Sequence, residues 1–395
     1  MTGLLDGVRV LDLTSVVMGP LATATLADLG ADVVTVETAK GDTARVMAGG
    51  PTRQLSDVAL TLLRNKRNVA IDLKHPDGRQ ALLRIAATCD VVVTNLRPAT
   101  RARLGLDDAA LRAARPDLVI CHATGYPADG PLADEPAYDD VVQGAAGIPR
   151  IMERALGTPW LVPMALADKV SGLTIVYAIL AALFARERTG TGPTVEVAMV
   201  DATVAFAMAE HGAGAVTGSG EPGYGRMLTP ERRAMASADG MLVVFPYADH
   251  HWQAIVEAGG RPDLAGDERL GHAGRQRDPG FGYRVLEEVL ARRTTAEWLA
   301  LCRATGIPAA AVPDIDEVVA AWPEVEHPTA GPYRAVPQPV RVDGAAPPTP
   351  RRHAPTVGQH NAEVLSEAGY PPDEIADLAA RGVLRSPPDR PRAAP

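Results

Sequence analysis

The sequence predicts an α/β protein with a large domain built on a parallel sheet and a smaller α+β domain. Three observations carry that reading. Strand-like and helix-like segments alternate from residue 8 to residue 122, a Gly-rich stretch poor in large apolar groups interrupts them at 212–225, and a second set of short elements follows over 235–325. The chain has 395 residues, room for two to three domains at roughly 150 residues each.

The first element is VRVLDLT (8–14), an apolar run that reads as a buried strand. A helical segment at 21–29 stops at Gly30, a usual helix-terminating residue, and ADVVTVE then gives a second strand ending at Glu37. The pattern repeats with a strand at 68–73, a helix at 76–88 opened by Pro76, a strand at 90–95, a helical segment at 104–114 and a strand at 117–122. Such alternation means a parallel sheet covered on both faces. The strongest helix spans 168–188 and is followed by the turn TGTGP, the strand TVEVAM and a helical start at Asp201. Past the Gly-rich stretch come a strand at 241–245, helices near 249–258, 282–292 and 295–304, and a strand around 309–312. Eight prolines between 328 and 355 mark an extended connection over a surface. Helical segments at 361–368 and 373–381 follow, and the tail 386–395 is expected to be disordered.

Apolar residues make up 46% and charged ones 22%, as in ordinary globular proteins. The net charge of −9 excludes a broad nucleic-acid footprint, which calls for clustered positive charge, and 4% aromatics argues against base-stacking platforms. Cys89, Cys121 and Cys302 are odd in number and far apart, so neither a disulfide framework nor a CxxC site is indicated. The N-terminus lacks the basic flank and apolar run of a signal peptide, and the longest apolar stretch, 170–185, is shorter than the roughly 20 residues of a bilayer span. A cytoplasmic protein with no membrane partner is expected.

The opening strand–turn–helix–strand unit resembles the start of a dinucleotide fold, but SVVMGP (15–20) lacks the G-x-G-x-x-G turn that a pyrophosphate needs, so Glu37 reads as a strand-end surface residue. There is no P-loop, no GxSxG elbow and no His/Cys set with metal spacing. A basic group stands out instead: Arg64, Lys66, Arg67 and Lys74 around one strand, then Arg97, Arg101 and Arg103 after the next. At the carboxyl ends of parallel strands, positive charge of this kind suits phosphates. Asp168, at the head of the long helix, reads most simply as an N-cap, and the helix N-terminus would keep its carboxylate ionised.

Nearly the whole chain resembles the class III CoA-transferases, the CaiB/BaiF group. The resemblance rests on LLDGVRVLDLTSVVMGP, LADLGADVVTVE with the following Gly41-Asp42, NKRNVAIDLKHPDGR, DVVVTNLRP, PAYDDVVQ, ALAD before the long helix, ARERTGTGPTVEVAMVDA and APTVGQHNAEVLSEAGY. It implies a ring-shaped subunit in an interlocked homodimer, with a Rossmann-like large domain at 1–211, a small domain at 235–325, linkers at 212–234 and 326–356, and C-terminal helices at 357–395 returning to the large domain. It further implies coenzyme A as co-substrate with no tightly bound cofactor. Asp168 matches the family's nucleophile, Tyr138 an active-site tyrosine, and Lys74, Asn95 and Arg103 residues that contact CoA. Acyl-CoA and carboxylic acid substrates follow.

Three departures bear on the substrate. Val17 stands where formyl- and oxalyl-type members carry Gln, Thr38 where they carry Arg, and GSGEPGYGR (218–226) does not reproduce their polyglycine loop. Lys40 is a candidate to replace the missing charge. The apolar candidates Val17, Met18, Met164, Tyr224 and Met227 point to a carbon chain larger than formate. The racemase branch places a His before its Asp, whereas this chain has Ala137-Tyr138-Asp139, so a 2-methylacyl-CoA racemase or isomerase ranks second. A CoA-binding protein without turnover is the third reading.

Overall fold

A computed structural model describes residues 3–345 and 350–388 of the chain. Six strands, β1 (Arg9–Leu13), β2 (Asp32–Glu37), β3 (Lys66–Ala70), β4 (Val91–Thr94), β5 (Val119–Thr124) and β6 (Thr194–Ala198), form one sheet in the order β3-β2-β1-β4-β5-β6. Every neighbouring pair is parallel, as the sequence predicts. Side chains alternate between the two faces of a strand, and the buried runs supply two cores accordingly. Val10, Val33, Val91 and Val119 pack with α1 (Met18–Asp28) and the long helix, while Leu11, Val34, Val92 and Ile120 pack with α2 (Pro76–Ala87). Among the remaining helices, α3 (Pro98–Leu104) and α4 (Asp139–Ala145) follow β4 and β5, and α5 (Leu166–Thr189) is the long one.

At 24 residues, α5 outruns the apolar stretch seen in the sequence and is long and apolar enough to cross a membrane. Its inner face is core, however: Ile175, Val176, Ile179, Ala182 and Leu183 are buried against α1 and the sheet. The two helices touch because residue 172 is glycine, where a Cβ would stand 2.8 Å from the Met18 carbonyl oxygen.

Contacts divide the chain into two compact units, one of Met1–Ala146, Val162–Phe206 and Trp322–Pro395, the other of Gly147–Leu161 and Ala207–Ala321. The second unit is α+β. Its antiparallel sheet of β7 (Met235–Ala236), β8 (Met241–Val244) and β9 (Ala309–Ala311) backs a core of Leu242, Trp252, Ile255, Leu286 and Trp298. In the first unit, Val364, Leu365 and Leu378 of the C-terminal helices complete the core over α2. The structure differs from the sequence reading in places. The segment read at 104–114 holds the end of one helix, Pro98–Leu104, and all of a second, Asp108–Ala114, and the strand read at 68–73 is Lys66–Ala70. Ala213–Thr217 in the Gly-rich stretch is a short helix, and Glu324–His327 and Gly331–Arg334 pair as a hairpin where the proline-rich connection begins. Residues 389–395 of the expected disordered tail lie outside the described residues.

Glu37 is not a surface residue. It is 7% exposed, receives both Nε and Nη2 of Arg45 at 2.7 Å, and accepts from Asn68 Nδ2 at 2.8 Å, because β2 ends beneath the 42–45 turn. The basic group is corrected in the same way. Arg64 is held by Asp28, and Arg67 by Asp32, Glu363 and Glu367. Lys66 is fully buried, with Nζ 3.1 Å from Asp12, 2.7 Å from the Thr23 hydroxyl and 2.9 Å from the Pro20 carbonyl. Burial draws the Lys66 pKa down, and Asp12 opposes it. Removing one member of such a pair leaves the other charged and unpartnered in the core. Lys66→Ala is therefore expected to lower stability by about 3–5 kcal/mol, to be read from chemical denaturation, whereas a loss under about 1 kcal/mol, the range of exposed pairs, contradicts the role given to the pair.

Candidate active site

Strand order reverses between β1 and β4, and in sheets of this kind the crevice at the strands' carboxyl ends is where ligands bind. Asn95, directly after β4, closes the floor of that crevice. Its Nδ2 donates to the Ser15 carbonyl at 3.0 Å and its Oδ1 accepts the Ser15 N–H at 3.2 Å, tying the ends of β1 and β4 together.

The next residue, Val16, has φ 72°, a left-handed conformation costly for a β-branched side chain. The Asp42 carboxylate compensates by accepting the Val16 N–H at 3.1 Å and the Ala44 N–H at 2.7 Å. Burial nonetheless raises the Asp42 pKa, the two backbone bonds pulling against it. The kink in the backbone at Val16 brings the first turn of α1 to face Asp168, whose carboxylate takes a hydrogen bond from the Met18 N–H.

Asp168 is not the N-cap of α5. That position is Ala165, and Asp168 stands in the first turn, its own N–H donating to Asp139 Oδ1 at 3.0 Å. Nor does the helix end hold its ionisation in the ordinary range. Burial first and the neighbouring Asp139 second push the Asp168 pKa up to about 6, against the pull of the Met18 N–H. Magnitudes explain the reversal, since a helix terminus supplies about 0.3–1 kcal/mol whereas desolvation moves a carboxyl by up to several pK units.

Asp168, Asn95 and Tyr138 line one cavity of about 230 Å³, with Met18, Arg97 and Pro98. Tyr138 is 65% exposed at the head of α4. The other candidates from the sequence are not in the cavity wall. Lys40, Lys74 and Arg103 are exposed and stand in the segments that follow β2, β3 and β4, Arg103 in the last turn of α3, and among the described residues none of them forms an ion pair. Of the apolar candidates, Met18 is in the wall and Tyr224 lines a cavity of the second unit. Two contributors escape a residue-by-residue reading: Asp139, which stands inside the PAYDDVVQ block, and Val16, whose strain has no sequence signal.

A sequence model described as CoA-transferase family III matches residues 5–361. The chain belongs to that family. It is 37% identical to the probable fatty acyl-CoA transferase Rv3272 of Mycobacterium tuberculosis over 77% of this chain and 81% of that protein. It is 30% identical to mouse succinyl-CoA:glutarate CoA-transferase over 96% of this chain and 90% of the other. In structure it resembles crystalline Rv3272 (TM-score 0.75, 34% identity, 91% of this chain and 99% of that one) and a CaiB/BaiF family protein from Brucella suis (TM-score 0.77, 26% identity, 93% and 100%). As a class III CoA-transferase it takes CoA thioesters as co-substrates.

The negative charge of Asp139 contributes to the raised pKa of Asp168. Asp139→Asn keeps an oxygen for the Asp168 N–H and removes the charge, so the Asp168 pKa falls. The acid limb of kcat/KM for CoA transfer is expected to move to lower pH, and an unmoved limb contradicts the coupling.

Proposed function

We propose that this CoA-transferase moves CoA from an acyl-CoA thioester to a free carboxylic acid with the Asp168 carboxylate as nucleophile. The observation that carries the reading is the placement of Asp168: a partly buried carboxylate at the switch point of the sheet, facing the α1 N-terminus and sharing a cavity with Asn95 and Tyr138.

The sequence of steps is balanced at each stage. An Asp168 oxygen attacks the thioester carbonyl, the C–S bond breaks, and a mixed anhydride and CoA thiolate result. The thiolate attacks the aspartyl carbonyl of the anhydride, releasing the first acid and leaving a thioester on Asp168. The acceptor carboxylate attacks that thioester, thiolate departs again, and its attack on the acceptor's acyl carbon gives the new acyl-CoA and restores Asp168. Dividing the exchange this way replaces one difficult displacement with easier ones. The oxyanions formed need donors already aimed at them, and in the first turn of α1 the Gly19 N–H is the candidate, since Met18 bonds Asp168, Pro20 has no N–H and Leu21 bonds the Val17 carbonyl. A desolvated carboxylate is also a stronger nucleophile than a hydrated one, which gives the burial of Asp168 a chemical purpose.

Lys40, Lys74 and Arg103 are proposed to hold the CoA phosphates, with Asn95 beside the thioester. In favour stands the division within the basic group: Arg64, Lys66 and Arg67 are largely buried and paired with carboxylates, whereas Lys40, Lys74 and Arg103 are exposed and have no ion-pair partner among the described residues. The reading includes a homodimer. Leu173, Tyr177 and Phe184, on one stripe of α5, are 57–64% exposed, a large apolar surface for a chain acting alone.

Asp168→Asn is the same size and lacks the nucleophile, so kcat for CoA transfer is expected to fall by at least about 10³-fold. In the unaltered enzyme the carboxylate must be ionised, so activity drops as pH falls through about 6, not through the ordinary value of 3.8. Full activity in Asp168→Asn contradicts the assignment. Exchange of the C2 proton in deuterated water without any acceptor acid would favour the racemase.

A further inference from the structure

The second unit holds a cavity of about 350 Å³, large enough for a small molecule. Its walls concentrate what the chain otherwise lacks. Of the few aromatic residues in the sequence, Tyr224, Phe245, Tyr247, Trp252 and Tyr283 line this one space. An adjoining cavity shares Arg226, Phe245 and Tyr283 with it and adds Arg232 and Arg233. No Asp or Glu lines either cavity, although the chain as a whole carries a net charge of −9. Of the arginines in these walls, Arg233 pairs with Glu287 and Arg275 with Asp249, which leaves Arg226 and Arg232 without an ion-pair partner among the described residues.

Arg226 stands at the shared wall. Its guanidinium lies over the Phe245 ring at 4.6 Å, and its buried Nε has no hydrogen-bond partner among the described residues. Nor does Arg226 form an ion pair among them, whereas Arg275 on the other side is held by the Tyr247 carbonyl and Asp249. Trp252 is 95% buried and its Nε1, an obligatory donor, is likewise unpartnered. The ring of Trp252 is fixed against the backbone at Gly282, where a Cβ would stand 2.8 Å from it. A partly buried cation with no carboxylate partner and a buried donor with no acceptor, both among the described residues, thus line one apolar aromatic space.

We propose that this cavity binds a carboxylic acid with a flat apolar body, the carboxylate paired with the Arg226 guanidinium and the body held by the faces of Phe245, Trp252 and Tyr283. A planar guanidinium matches a carboxylate's two oxygens, which an ammonium does not. The proposal goes beyond the reading of this chain as a CoA-transferase: it concerns a cavity of the second unit, and the binding does not depend on that reading.

The test is calorimetric titration of the full chain with phenylacetate, its neutral analogue phenylacetamide, and inorganic phosphate. Phenylacetate is expected to bind, phenylacetamide at least tenfold more weakly, and phosphate is expected not to displace the acid. Arg226→Gln is expected to weaken phenylacetate at least tenfold, and Arg226→Lys to recover part of that loss. Trp252→Phe, which keeps an aromatic body, is expected to cost severalfold. Absence of phenylacetate binding to the folded chain, equal binding by the amide, full displacement by phosphate, or unchanged binding in Arg226→Gln each overturns the proposal. Asp168→Asn separates it from the nucleophile assignment: binding retained with transfer lost supports both, binding retained with transfer intact overturns only the nucleophile, and binding lost with Asp168 overturns the placement of the acid in the second unit.

Discussion

The close approach of α5 to the first turn of α1 governs the candidate site. It depends on residue 172 having no side chain, since a Cβ there would press on the Met18 carbonyl. The contact takes Asp168 out of water and gives its carboxylate the Met18 N–H in return. Underneath, the Asp12–Lys66 pair and the Thr23 hydroxyl anchor the end of β1 to α1, so the loop between them has little freedom. The strained Val16, held by Asp42, is the consequence of packing that loop against Asn95 and α5 together. Stability here is directed to one geometry at the carboxyl ends of two strands.

Electrostatically, the same packing works by contrast. Carboxylates and cations that only support the fold are paired: Glu37 with Arg45, Asp28 with Arg64, Asp32 with Arg67. By contrast, Asp168 faces Asp139 rather than a cation, and Arg226 in the cavity of the second unit has no carboxylate partner among the described residues. A carboxyl with pKa near 6 remains mostly ionised at neutral pH and is poorly solvated, the combination a nucleophile requires.

Much of the fold was legible in the sequence because period and composition are local. VRVLDLT, ADVVTVE and DVVVTN are β-branched runs bounded by turn signals, and the structure has β1, β2 and β4 within them. What escaped depends on partners distant in the chain. Lys66 and Arg67 look like a phosphate patch until Asp12, Asp32, Glu363 and Glu367 are brought to them by the sheet and the C-terminal helix. Asp168 was legible as a residue of interest, but the direction of its pKa was not, because helix position is read from spacing and burial is not. The scarcity of aromatics likewise acquires a meaning only when five of them meet in one cavity.

Covalent capture of the intermediate tests the nucleophile most directly. The enzyme is incubated with an acyl-CoA, treated with borohydride, digested and mapped by mass spectrometry. The expected result is an acyl-CoA-dependent change confined to the peptide containing Asp168, in which the side chain is reduced to the alcohol. Modification of a different carboxylate, or an unmodified Asp168 in enzyme that is turning over under the same conditions, would contradict it.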